Sequence, residues 1–176
     1  MRNYLVEVCC GSTEDVIAAA KGGAERAEHC SNLFQGGLTP TLGSFRAARE
    51  RADIKINVMI RPREGGFRYT EAEMATALHD ARIFKAAGAD GLVCGFLNDD
   101  GTVDIERTKA IVEIAGDIPV TFHRAIDVVP NWREALDQLA TIGVRRILTS
   151  GQKSNVLLAL DTVREMVDYA GDRLIV

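Results

Sequence analysis

The chain has 176 residues, enough for one ordinary domain, because separate hydrophobic cores arise only above about 250 residues. Its 21 basic and 25 acidic residues give a formal net charge of −4 without any basic block, which argues against nucleic acid as the main partner. Hydrophobic residues make up 47% and charged residues 26%, the proportions of a globular chain rather than a disordered one.

Targeting and redox features of the sequence predict a cytoplasmic protein with no membrane partner. No stretch approaches the roughly 18 uninterrupted apolar residues that a membrane helix requires. The first seven residues end in Glu7, where a signal peptide would keep an apolar run. The cysteines are too few for a disulfide scaffold and contain no CxxC pair, so they are expected to be reduced: Cys9, Cys10, Cys30 and Cys94.

Short β-branched runs alternate with helical spacing along the first half of the chain. The first strand is expected at 4–10, followed by a helix that Ser12 caps and Gly22 ends. Strands at 25–30 and 55–61 enclose a helix at 41–51. Thr70 and Glu73 then form a capping box at the start of a helix that Gly88 ends.

The second half repeats the same alternation. Strands are expected at 91–96, 119–124 and 145–150, with a last strand at 173–176 that reaches the end of the chain. Helices are expected at 104–115, 131–142 and 154–169. The Gly- and Pro-rich loops at 35–40, 62–66 and 151–153 all follow strands, so the elaborated loops should lie on one side of a parallel sheet.

The polarity of the strands distinguishes between the two common forms of such a sheet, an open doubly wound sheet and a (β/α)₈ barrel. Central strands of an open, doubly covered sheet are nearly pure apolar runs. Here polar and apolar residues alternate, which sends the polar set to a shared interior. The interior set comprises the pairs Glu7 and Cys9, Glu28 and Cys30, Asn57 and Arg61, and Thr121 and His123. The pattern therefore predicts a (β/α)₈ TIM barrel forming a single domain over 1–176.

A complete barrel of this kind needs about 250 residues, whereas only seven strand starts are visible. Three explanations are open: the sequence is a fragment, another chain supplies the missing wall, or the sheet keeps an exposed edge. We expect the first, a barrel truncated after the start of its seventh strand. We also expect a homo-oligomer.

Barrel active sites lie at the carboxyl ends of the strands, so the polar interior residues there are the candidates for chemistry. Glu7 and Glu28 on neighbouring strands would repel each other, and Arg61 is the natural counter-ion. His123, followed by Arg124, stands where a general acid, a general base or an anion clamp would be placed. A Glu–Arg network that only fills the interior remains an equally good interpretation.

Two further patterns suggest ligands. Glu-x-Cys occurs in both of the first two strands, so Cys9 and Cys30, with Met59 and His123 nearby, offer the soft donors that suit Cu(I). Ser150 opens a Gly-containing stretch before a predicted helix, which suggests either anion binding or a simple N-cap. Cys10 and Cys94 are expected to be packing residues.

Taken together, the strand-end strings resemble the CutC family, which is named for copper homeostasis. They are Glu-Val-Cys-Cys at 7–10, Gly-Gly-Leu-Thr-Pro at 36–40, Ile-Arg-Pro-Arg at 60–63, Val-Thr-Phe-His-Arg-Ala at 120–125 and Leu-Thr-Ser-Gly-Gln at 148–152. The resemblance implies a cytoplasmic (β/α)₈ barrel of which roughly the last quarter is absent here. It carries the family pattern onto Glu7, Cys9, Glu28, Cys30, Arg61, His123 and Arg124. His29 departs from the family, which usually has an apolar residue there.

Two functions follow as hypotheses. The first is a copper homeostasis protein that holds Cu(I) through Cys9 and Cys30 at the mouth of the barrel. The second is an enzyme for a small anionic or hydroxylated metabolite. Its expected parts are Glu7 or Glu28 as base and His123 as acid, with Arg61, Arg124 and Ser150 binding the substrate.

Overall fold

The computed structural model describes residues 4–176 as an α/β fold in which strands and helices alternate. Residues 1–3, the start of the segment from which the absence of a signal peptide is predicted, lie outside the described part. The strands are β1 (Glu7–Cys10), β2 (Arg26–His29), β3 (Lys55–Met59), β4 (Gly91–Cys94), β5 (Val120–Phe122) and β6 (Arg146–Ile147). The helices are α1 (Thr13–Lys21), α2 (Leu42–Arg51), α3 (Glu71–Ala86), α4 (Ile105–Ala115), α5 (Trp132–Thr141) and α6 (Leu160–Ala170).

All six strands form one parallel sheet in sequence order, and each pairs with the next. The sheet is curled, since Cys9 at one edge and Leu148 beyond the other edge line the same cavity. Ile175 adds an isolated parallel bridge to Arg146, inside the predicted seventh strand. The predicted α/β alternation and parallel order are thus confirmed. Closure into eight strands, and truncation, stay predictions.

The alternation of polar and apolar residues divides the sheet as expected. Helix-facing residues such as Ile56, Leu92 and Phe122 are fully buried in the main core. Cys10 and Cys94 lie in that same core, as predicted. The imidazole of His29 also faces the helices, where its Nε2 lies 2.9 Å from the Ser44 hydroxyl. The interior face keeps a small apolar cluster of its own, formed by Cys30, Met59 and Val93.

The helix ends agree with the local capping signals of the sequence except at the start of α6. Ser12 caps α1, and Thr70 with Glu73 forms the predicted capping box of α3. The predicted helix at 154–169 instead begins at Leu160, after a 3₁₀ turn over Val156–Leu158. Asn155 explains the delay: its side chain accepts a hydrogen bond from the Leu157 amide, a local turn that competes with the start of an α-helix.

Candidate functional site

A cavity of about 490 Å³ opens at the carboxyl ends of the strands, within the size range of small-molecule sites. The side chains that line it come from β1, β2 and β3 and from the segments that follow β3, β5 and β6. Of the residues predicted from sequence, it brings together Cys9, Glu28, Arg61, His123 and Arg124. Met59 also lines this space, which we call the mouth cavity.

Cys9, Glu28 and Cys30 form a compact cluster at one wall of the mouth cavity. The register of β1 and β2 places Cys9 opposite Glu28, and Cys30 follows two residues later on the same face. The two sulfurs are 4.0 Å apart, and Glu28 Oε1 lies 3.6 Å from Cys9 Sγ and 3.7 Å from Cys30 Sγ. Cys9 is exposed while Glu28 and Cys30 are buried. Within the described residues, this is the cluster whose ligand atoms lie close enough to share one metal ion.

Burial and hydrogen bonding between these side chains decide the protonation of the cluster. Burial, followed by the charge of Glu7, raises the pKa of Glu28 to about 7, although hydrogen bonds from the two thiols oppose the shift. Hydrogen bonding with Cys9, followed by burial, raises the pKa of the Cys30 thiol far above its ordinary value. At neutral pH the cluster therefore holds a neutral Cys30 thiol and a Glu28 carboxyl near the midpoint of its titration.

Arg61 is not the counter-ion of the two glutamates, contrary to the prediction. Its guanidinium donates instead to backbone carbonyls of Gln35 (2.8 Å), Gly37 (3.0 Å) and Gly65 (2.8 Å), and it lies over the ring of Phe67. Within residues 4–176 no carboxylate pairs with it, and the residue is only 5% exposed. The reason is position. Arg61 lies beyond the end of β3, where carbonyls of two loops surround its guanidinium and the two glutamates do not reach it.

Glu7 lies one layer below the mouth, at the start of β1, and does not line the cavity. Its carboxylate pairs with Arg26 on β2 and accepts a hydrogen bond of 3.1 Å from the Asn57 side chain on β3. The counter-ion that sequence reasoning sought is thus Arg26, which stands opposite Glu7 in the register. Parallel strands bring such laterally adjacent residues together, whereas Arg61 lies beyond the end of β3.

His123 is held rigidly at the end of β5. Its Nδ1 accepts a hydrogen bond of 3.2 Å from the Ala125 amide, which places the ring proton on Nε2. Nε2 is buried and has no hydrogen-bond partner within the described residues. Burial, together with the charge of Arg61, lowers the pKa of His123 to about 3, so the imidazole is neutral at physiological pH. Neutral His123 can donate one proton-bearing nitrogen to a ligand.

Asp127, which the sequence analysis did not single out, organises the opposite wall. Its carboxylate accepts hydrogen bonds from the amides of Ser150 (3.1 and 3.0 Å) and Gln152 (3.1 Å) and from the Thr149 hydroxyl (2.5 Å). It also forms an ion pair of 2.9 Å with Arg124. Burial works to raise the pKa of Asp127, but these hydrogen bonds outweigh it and hold that pKa below its ordinary value. The spacing of Arg124 and Asp127, i and i+3, was the available signal.

Ser150 therefore has a different environment from the one expected. Its hydroxyl donates to Asp127 (2.9 Å) and accepts from Arg124 (2.7 Å), and it does not line the mouth cavity. The amides around Ser150 that were expected to meet an external anion are occupied by Asp127. No helix begins there either, since α6 starts at Leu160. Ser150 fixes the cavity wall behind Arg124.

Known proteins match this chain over nearly its whole length. The family model of the CutC family matches residues 4–176. A family protein CutC of Treponema denticola is 45% identical over 174 residues, covering 99% of this chain and 71% of that protein. A human copper homeostasis protein cutC homolog is 42% identical over 173 residues, covering 98% of this chain and 63% of that protein.

The solved structures agree with the sequence match. A Streptococcus agalactiae protein named as a copper homeostasis protein CutC superposes with a TM-score of 0.90 at 31% identity, covering 97% of this chain and 84% of that one. This chain spans less than two thirds of the length of the human relative. By the family match and by its likeness to the Treponema protein, the chain belongs to the CutC family.

Proposed function

We propose that the protein is a copper homeostasis protein that binds Cu(I) through Cys9 and Cys30 at the mouth of the curled sheet. The observation that supports it is the 4.0 Å separation of the two sulfurs. Metal–thiolate bonds of about 2.3 Å allow one ion to bond both sulfurs at that separation. Thiolates are soft donors, which bind Cu(I) in preference to harder cations.

The surroundings of the sulfurs fit a soft cation. Exposed Cys9 offers a point of entry from the mouth cavity, while buried Cys30 lies behind it. Met59 packs against Cys30 and adds a thioether, and His123 lines the same cavity. Glu28 contacts both thiols and can accept a proton that a binding ion displaces, since metal binding requires thiolates.

Anaerobic titration with Cu(I) against a competing chelator tests this proposal. The Cys9→Ala/Cys30→Ala variant should lose most of its affinity. Cys10→Ala/Cys94→Ala removes two thiols from the helix-facing core and is the matched control, since it should keep the affinity of the parent. Equal affinity of the Cys9→Ala/Cys30→Ala variant and the parent would disprove the assignment.

An acid–base enzyme is the second candidate, favoured by one specific observation. Glu28, with a pKa raised to about 7, and neutral His123 line the same cavity as Arg61 and Arg124. A carboxyl with that pKa suits a general base at neutral pH. Glu7 contributes from the layer below, because its charge helps to raise the pKa of Glu28. If this candidate is right, wild-type protein in D₂O exchanges a C–H of a bound substrate and Glu28→Gln does not.

Location and assembly also remain proposals. No helix among the described residues is long and apolar enough to cross a membrane. We propose a cytoplasmic, homo-oligomeric protein that does not use nucleic acid as a partner, as the sequence predicts. Fractionation of cells and light scattering of the purified protein test the first two points, and a gel-shift assay tests the third.

A further inference from the structure

We propose that the mouth cavity is a binding site for a small organic monocarboxylate with an apolar body, held by Arg61 and His123. The proposal requires neither copper nor turnover.

An uncompensated cation at the cavity wall provides the charge for such a ligand. Arg61 is 95% buried and spends its two terminal nitrogens on three backbone carbonyls, with no carboxylate partner within residues 4–176. A buried charge is costly without a counter-ion. A single anionic group in the adjoining cavity would supply one, which favours a monoanion.

A directed donor lies on the same wall. The His123 ring is fixed by the Ala125 amide at Nδ1 and by close packing of Gly95 against Cε1, and it packs against Phe67 with ring centres 4.9 Å apart. His123 lines the cavity, and its buried Nε2 has no hydrogen-bond partner within residues 4–176. Because Nδ1 accepts from the Ala125 amide, the ring proton is on Nε2, which can donate to a carboxylate oxygen.

The remaining wall selects a carboxylate rather than a phosphate. Arg124 is already paired with Asp127, and the backbone amides of Ser150 and Gln152 are filled by the Asp127 carboxylate. Such clusters of free backbone amides are a common phosphate-binding feature, and here the Asp127 carboxylate already occupies one. Most of the other lining is apolar, with Met59, Phe67, Val128 and Leu148 around the cavity. An apolar body of the ligand would pack against these side chains.

Calorimetric titration with phenylacetate, phenylacetamide and inorganic phosphate tests the proposal. Phenylacetate should bind in the millimolar range or tighter, and the uncharged amide and phosphate should bind at least tenfold more weakly. Phenylacetate should bind with metal chelated throughout, which separates this site from the copper proposal. Absence of phenylacetate binding, or equal binding of the amide or of phosphate, would overturn the inference.

A matched pair of variants isolates the donor. In His123→Asn the amide oxygen can still accept from the Ala125 N–H, but the group at the Nε2 position is gone. In His123→Gln the amide nitrogen reaches the Nε2 position and keeps a donor there. Phenylacetate affinity should fall at least tenfold in His123→Asn. In His123→Gln the fold-loss of affinity should be less than half of that. Unchanged affinity in His123→Asn, or an equal loss in both variants, contradicts the assignment.

Discussion

The imidazole of His123 lies so close to Gly95 that a Cβ at position 95 would be 2.3 Å from Cε1 and 2.4 Å from Nδ1. The two residues follow neighbouring strands, β4 and β5, and both face the interior. Gly95 is thus required here for space and not for backbone freedom, since its φ lies outside the left-handed region. The missing side chain is what lets the ring sit at the cavity wall.

Gly95→Ala should therefore displace the His123 ring. We expect a loss of about 1–3 kcal/mol in the free energy of unfolding, the usual cost of overpacking a buried site. Thermal and denaturant unfolding measure it. Gly66→Ala is the control, because a Cβ there meets nothing within 4 Å and the backbone conformation is permitted. Equal stability of Gly95→Ala and wild type would show that the ring can move without cost.

Glu28 and His123 give the metal-free protein opposing pH dependences. The folded pKa of Glu28, about 7, exceeds its ordinary 4.5, so its stabilising effect is full below pH 4.5 and is lost as pH rises to 7. The folded pKa of His123, about 3, lies below its ordinary 6.5, so its effect is full above pH 6.5 and is lost as pH falls to 3. Between pH 4.5 and 6.5 the two slopes oppose each other.

Single variants should separate these slopes. Relative to wild type, Glu28→Gln should lose stability on acidification from pH 6.5 to 4.5, because only the His123 effect remains. His123→Asn should gain stability over the same interval. Denaturant unfolding at several pH values measures both differences, with metal chelated throughout. Parallel pH profiles for the two variants and wild type would contradict these assignments.

Asp127→Ala should cost about 3 kcal/mol of stability, because it leaves the amides of Ser150 and Gln152 without their acceptor. Added acetate should raise the melting temperature of this variant more than that of wild type, since the small carboxylate can occupy the vacated amides. Asp161→Ala is the control, because its exposed carboxylate pairs only with exposed Arg164. If acetate raised both melting temperatures equally, the loop at 150–154 would have rearranged in Asp127→Ala and the prediction would be wrong.

Arg61→Lys should loosen two loops at the mouth. A lysine has a single ammonium and cannot reproduce the planar fork that bonds the carbonyls of Gln35, Gly37 and Gly65. We expect a loss of about 2 kcal/mol and faster proteolysis within residues 31–38 and 62–66. Arg51→Lys, on the exposed end of α2, should change neither property. Unchanged cleavage of the Arg61→Lys loops would show that other contacts hold them.

The sequence by itself determined which face each strand residue takes, because a period of two residues is a local property of extended backbone. From it followed the shared interior side of Cys9, Glu28 and Cys30. The alternation of β-branched runs with helical spacing gave the parallel α/β order, and the usual burial of free cysteines gave the core position of Cys10 and Cys94. The capping box of α3 was equally local, since Thr70 and Glu73 are three residues apart.

Only the tertiary structure decided which charges meet. The partner of Glu7 is Arg26 and not Arg61, because strand register and loop path, which no local pattern encodes, set the distances between side chains far apart in sequence. The same holds for Asp127, whose carboxylate occupies the backbone amides that the sequence suggested for an external anion at 150–154. Such pairings depend on how separate segments pack, because the paired side chains come within contact distance only in the folded, curled sheet.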